Sequence, residues 1–284
     1  MCAIASVEPD EKQQPVVMRL LRERIVKGQA TCPELGEASR AASGLVVYVS
    51  RDGKKALETI WRDNSFELSL PPGNYELNAY GGGTHDRTIA IQVTPGDGAQ
   101  ELAPIALRAT QLALLEGKAA PEIAGVVGWK NSAPLKLVDL RGKCVLVEFW
   151  GYWCGPCVHR MPQTFEVYDK YHDKGLEVIG VHVDLGEDEE MPVGTVEELD
   201  KRLTQTRREL WMGRDLPFPV ALVVAKRHRY GEGIDGMGRC RASVEWGVTS
   251  YPTMVLIDRQ GRIVGPFGHH ETQIKLLEEK LAEK

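Results

Sequence analysis

Trp153-Cys154-Gly155-Pro156-Cys157 follows directly on the apolar run Val145-Leu146-Val147-Glu148-Phe149-Trp150, and the join between the two decides how this chain reads. The apolar run reads as a buried strand. Val158 to Lys174 reads as a helix, with Met161, Phe165 and Tyr168 at helical spacing and Gly175 as its stop. The two thiols therefore sit where a strand hands over to a helix, with Cys154 at or beside the helix N-terminus. Unpaired backbone N–H groups and the positive end of the helix dipole stabilise a thiolate there, which makes Cys154 the expected nucleophile. Cys157 follows one turn later, within reach of a disulfide. The residue types and their spacing suit thiol–disulfide exchange.

At 284 residues the chain suits two domains. Its 43% hydrophobic and 26% charged residues are ordinary for a globular protein. A net charge of −5 gives no reason to expect nucleic acid or a membrane surface as partner. No apolar stretch approaches the roughly 18 residues that a transmembrane helix needs. Met1-Cys2-Ala3-Ile4-Ala5-Ser6 lacks the charged and apolar regions of a signal peptide.

Residues 1–43 read as a polar leader, a helix and a linker. Val17, Leu20, Leu21 and Ile25 share one helical face and Gly28 ends the pattern. Residues 44–110 change to short apolar runs between turn residues. Leu45 to Val49, Phe66 to Leu70, Tyr75 to Tyr80 and Ile89 to Val93 read as strands, separated by Asp52-Gly53, Pro71-Pro72-Gly73-Asn74 and Gly81-Gly82-Gly83. That spacing predicts a small antiparallel β-sandwich. After a link over residues 108–120, strands alternate with helices. Val178 to Val183, Phe218 to Val224 and Met254 to Ile257 read as strands. Thr195 to Glu198 has the spacing of a capping box, with Leu199, Leu203 and Leu210 continuing its helix. A short terminal helix starts at Thr272. Between these elements lie an acidic loop, Glu187 to Glu190, and a loop rich in Gly, Arg and Lys, Lys226 to Arg239.

Glu148-Phe149-Trp150, the Trp153 to Cys157 run and Tyr251-Pro252-Thr253 together resemble the active-site elements of the thioredoxin fold. With Ala120-Pro121-Glu122 and Leu135 to Lys143 added, residues 117–284 resemble the bacterial TlpA/ResA-type thiol–disulfide oxidoreductases. Phe66 to Tyr80 and Thr88 to Leu107 resemble the carboxypeptidase-regulatory-like sandwich that precedes such domains in some envelope proteins. The fold expected is thus an α/β thioredoxin domain, a central mixed sheet with flanking helices, behind a small all-β sandwich. The resemblance implies that Cys154 attacks, that Cys157 resolves, and that Pro252 is a cis-proline facing the disulfide. It implies substrate contact at Trp153, Gly155, Pro156, Tyr251 and Thr253, protein disulfides as substrates, an upstream thiol reductant as partner, and an envelope or periplasmic location. Arg160 departs from the acidic residue that many members carry three positions after the second cysteine.

Each reading has a plainer rival. The cysteine pair could be a structural disulfide or half of a zinc site, but no second Cys-x-x-Cys completes four zinc ligands. No metal and no cofactor beyond the disulfide is therefore expected. Glu148, inside a buried strand, is expected to have a raised pKa and to take a proton from Cys157 through water; the alternative is a carboxylate that reaches solvent or pairs with a lysine such as Lys143. Cys144 reads as a small hydrophobe, while Cys32 and Cys240 could pair in an oxidising compartment. Gly155-Pro156 is the thioredoxin dipeptide and favours reduction over oxidation. A peroxiredoxin-type peroxidase would place Pro seven and Thr or Ser three residues before the cysteine, where this chain has Val147 and Gly151. The remaining alternative is an envelope binding protein with a subsidiary redox unit.

Overall fold

A computed structural model describes residues 22–36, 44–61, 63–184, 193–224 and 240–283. The chain divides into two compact units between Leu114 and Leu115. The acidic loop, the Lys226 to Arg239 stretch, and Val17, Leu20 and Leu21 lie outside the described residues.

The first unit is built from β1 (Arg24–Thr31), β2 (Leu45–Arg51), β3 (Lys54–Trp61), β4 (Ser65–Leu70), β5 (Gly73–Tyr80), β6 (Arg87–Val93), β7 (Gln100–Glu101) and β8 (Ile105–Ala106). One sheet has the antiparallel order β3-β2-β5-β6. The other has β1 at its centre, antiparallel to β4 and parallel to the short β7 and β8. Alternate residues of both sheets point into one core, among them Val26, Val47, Phe66, Leu68, Leu77 and Ile91.

Two expectations for this region are corrected. Ile25 and Gly28 belong to a strand, not to a helix, so the sandwich starts before residue 44. Val26 and Ala30 are buried while the intervening side chains are less so, a period that serves a sheet face. Gly28 does not stop an element: it pairs with Phe66, and a Cβ there would stand 2.3 Å from the Phe66 ring, so the glycine makes room for an aromatic on the neighbouring strand. The sandwich is also not purely antiparallel, because β7 and β8 run alongside β1.

A short helix α1 (Gln111–Leu115) bridges the two units in sequence. The second unit comprises β9 (Val126–Lys130), β10 (Cys144–Trp150), α2 (Gly155–Tyr171), β11 (Leu176–Asp184), α3 (Val196–Glu209), β12 (Val220–Val224), α4 (Arg241–Trp246), β13 (Thr253–Ile257), β14 (Ile263–Phe267) and α5 (Glu271–Ala282). Its mixed sheet has the order β14-β13-β10-β11-β12-β9. β10, β11 and β12 run parallel, and the other three strands oppose their neighbours. All seven residues of β10 are buried, as a central strand covered on both faces requires. Cys144, Leu146 and Trp150 join residues of α2, α3 and α5 in one core cluster. Phe149 points the other way, against Trp246 of α4 at 5.5 Å between ring centroids. This is the thioredoxin-like arrangement.

α2 carries Pro162 in its interior, which cannot donate to the carbonyl of Val158. The indole N–H of Trp211 donates to that carbonyl instead, at 2.8 Å. A buried acceptor freed by proline is thus satisfied from a residue that follows α3. α3 itself begins with the expected capping box between Thr195 and Glu198. Replacing Trp211 with Phe keeps most of the ring and orphans the Val158 carbonyl, so the variant should lose about 1–3 kcal/mol. Urea unfolding measures this, and an unchanged midpoint would show that the helix satisfies Val158 without the indole.

Candidate functional site

The redox turn is assembled at the end of β10. Gly151 accepts from the Cys154 N–H at 3.1 Å, closing a turn whose middle residues are Tyr152 and Trp153. Glycine at 151 leaves room for the Trp153 indole, which folds over it: a Cβ there would stand 2.4 Å from Nε1, so a larger residue requires the indole to shift. Cys154 is the N-cap of α2, and its sulfur accepts from the Cys157 N–H at 3.2 Å. That bond and the helix dipole are what a thiolate at this position would use. Cys154 and Cys157 are joined in a disulfide. Cys154 keeps 6% exposure and Cys157 none, so an incoming thiol or disulfide can reach only Cys154. Gly155 and Pro156 form the exposed first turn of α2.

The Tyr251–Pro252 peptide is cis, as its sequence context suggested. Thr253 pairs with Phe149, so Tyr251 and Pro252 lie at the end of β10, beside the redox turn. The Tyr251 ring meets the Trp153 ring edge-on at 5.5 Å, which joins these two sequence-distant parts into one aromatic surface. Thr253 donates its hydroxyl to the Ser250 carbonyl at 2.7 Å and thereby braces the cis-proline loop.

Glu148 lies on the face of β10 that also carries Leu146 and Trp150, the face against α2. It is completely buried, and neither carboxyl oxygen has a hydrogen-bond partner. Burial pushes its pKa up to about 7, against smaller downward pulls from the Thr164 hydroxyl and the Arg160 guanidinium. Thr164, on α2, is likewise buried and without a hydrogen-bond partner. The alternative pairing with Lys143 is not formed, because that ammonium binds Glu177 at 3.1 Å.

The other described cysteines play no part in this site. Burial pushes the Cys144 thiol up to about 11, which makes it a poor thiolate. Cys32 and Cys240 are free thiols and do not pair. The Cys240 sulfur accepts from the Ser243 N–H at 3.3 Å and caps α4.

Sequence reasoning missed His182. Inside the apolar strand β11 it is fully buried, and its Nε2 accepts from the Tyr152 N–H at 3.3 Å. The available signal was a lone imidazole between Val181 and Val183, in a strand otherwise read as near-continuously apolar.

The AhpC/TSA family profile matches residues 117–265, more than half of the chain. The thiol-disulfide oxidoreductase ResA of Bacillus thuringiensis subsp. konkukian is 32% identical over 162 residues, covering 57% of this chain and 75% of that protein. Protein DipZ of Mycobacterium bovis is 46% identical over 66 residues, 22% of this chain and 10% of its own length. A solved thiol-disulfide isomerase from Corynebacterium glutamicum shares 26% identity over 58% of this chain and 98% of its own, with a TM-score of 0.43.

The Glu148 carboxyl gives a signed pH dependence. Raised from its ordinary 4.5 to about 7, it keeps its proton in the folded chain where the unfolded chain has released it. Stability is therefore lost as pH rises from 4.5 through 7. Glu148→Gln removes that loss, so the variant should match the parent at pH 4 and exceed it by about 3 kcal/mol at pH 8. Urea unfolding at the two pH values checks it; a constant difference would mean that the carboxyl titrates normally.

Proposed function

This chain belongs to the AhpC/TSA family, and we propose how its thiol–disulfide oxidoreductase chemistry runs and in which direction. The enzyme acts on protein disulfides through a thioredoxin-like domain. In the proposed cycle the reduced Cys154 thiolate attacks a substrate disulfide. One substrate sulfur leaves as a thiolate and a mixed disulfide forms. Cys157 gives its proton to Glu148 and attacks the Cys154 sulfur, releasing the second substrate thiolate. Two electrons pass to the substrate and the Cys154–Cys157 disulfide remains. An upstream thiol reductant, supplied by a partner, restores the pair.

The observation that carries this reading is the disulfide at the N-terminus of α2, with its reachable sulfur capping the helix and a buried carboxyl of raised pKa beneath. A carboxyl that titrates near neutrality can both accept and return a proton at working pH. Trp153, Tyr251, Pro252 and Thr253 would present the surface that meets substrate, together with the exposed Gly155 and Pro156. No cofactor beyond the disulfide is proposed. The reductase direction rests on the Gly155-Pro156 dipeptide, and the envelope or periplasmic location on the resemblance to TlpA/ResA-type proteins. We further propose that the first unit is a carboxypeptidase-regulatory-like sandwich serving as scaffold or docking module. Among the described residues, no helix is long and apolar enough to cross a membrane.

A peroxidase reading has the family profile in its favour and the turn against it. The position three before Cys154 is Gly151, and the Trp153 indole occupies the space that a Thr or Ser side chain needs.

Equilibration against glutathione with thiol trapping tests the direction. A reduction potential of about −270 mV supports a reductase, and one of about −120 mV reverses the assignment. Cys154→Ser should abolish exchange, whereas Cys157→Ser should accumulate a mixed disulfide with substrate. Peroxide consumption without any added thiol protein, dependent on Cys154, would transfer the chain to the peroxidase reading.

A further inference from the structure

The residues just ahead of the nucleophile are tied to β11 at consecutive positions. The Tyr152 N–H donates to His182 Nε2 at 3.3 Å, and the Trp153 indole N–H donates to the Val183 carbonyl at 2.9 Å. The His182 ring also stacks on the Tyr152 ring, 5.7 Å between centroids and 12° from parallel. It meets Trp150, its cross-strand neighbour, edge-on at 5.1 Å. The Arg202 guanidinium of α3 lies over the Tyr152 ring at 5.5 Å. The turn that ends in Cys154 is thus held from the sheet and from a helix, and His182 supplies both a ring contact and a side-chain acceptor for the backbone N–H of Tyr152.

An apolar side chain would fill this slot at lower cost. Burying an imidazole forfeits its hydration, and only a hydrogen bond offsets that loss. The bond seen here also dictates the ring's state. Nε2 can accept from Tyr152 only in the neutral imidazole with its proton on Nδ1; a protonated ring would point a donor at a donor. Burial keeps it neutral by pushing its pKa down to about 3.

We propose that His182 is the positioning residue of the redox pair: by accepting from the Tyr152 amide, it fixes the Gly151–Cys154 turn and thereby the Cys154 sulfur at the N-terminus of α2. The inference rests on the thiol–disulfide reading above. Without the acceptor, the turn can rotate the sulfur off the Cys157 N–H and the helix axis. The thiolate loses stabilisation, the reduced pair becomes less favourable, and the couple shifts to a more negative potential.

Two variants of the full chain separate the roles of His182. His182→Phe keeps a ring for the stack and removes the acceptor; His182→Gln keeps an acceptor near the position of Nε2 and removes the ring. Expected for His182→Phe is a tenfold or larger shift of the glutathione equilibrium toward the disulfide form, about 30 mV. Its kcat should fall by a similar factor with KM for a protein disulfide unchanged. His182→Gln should stay within threefold of the parent in both. A His182→Phe chain with parental potential and kcat overturns the proposal, as do equal losses in both variants, which would mark His182 as packing alone. Should His182→Phe not fold, His182→Gln decides: within threefold of the parent supports the proposal, and a tenfold loss overturns it. A parent chain without a reversible two-electron couple fails the functional reading, whereas a competent parent indifferent to His182 fails this inference alone.

Discussion

The complete burial of β10 is the constraint from which the site follows. A strand dry on both faces at the centre of a mixed sheet needs a helix against each face. α2 covers one face and must start near the strand's end to do so. The chain therefore turns sharply between Trp150 and Gly155, and that turn delivers Cys154 to the helix N-terminus. The same burial strips water from Glu148, which makes a carboxyl of ordinary acidity into one that titrates near neutrality. Thiolate stabilisation and proton acceptance are thus two results of one packing requirement.

Elements whose pattern is set locally were legible. The strand–turn–helix around Cys154, the capping box at Thr195, and the strands β2, β4, β5 and β6 have periods or turn residues that survive folding unchanged. What failed was decided by distant partners. β1 has few apolar residues, and its register comes from β4 some forty residues later, with Gly28 yielding to Phe66. β3 was passed over because Lys54-Lys55 and Glu58 obscure its alternation, although β2 pairs with it along its length. β9 shows no period of its own and is held by β12.

The site divides in the same way. The cysteines announce themselves by residue type and spacing, whereas Glu148 and the Tyr251–Pro252 step are read chiefly through the resemblance to TlpA/ResA-type proteins. The residues that hold them show neither sign. Trp211 replaces the hydrogen bond that Pro162 cannot make, and His182 binds the backbone of the redox turn, each from a separate element. Neither shares a motif with what it supports, because the relation exists only across the folded sheet and its helices. A buried polar side chain in an apolar run is the trace such supports leave, and it points to a need for a partner without naming it.

Gly151 and Gly155 lie on either side of Cys154 in opposite circumstances. The place of a Cβ at Gly151 is already filled by an indole, whereas nothing stands within 4 Å of one at Gly155. Substitutions between the two cysteines therefore meet open solvent, while those before the first meet a packed wall. Redox poise in this protein is accordingly adjustable from the intervening dipeptide, a dial an engineer or natural selection could turn in small steps. The residues upstream form a tighter mount, where a side chain at position 151 requires the Trp153 indole to shift.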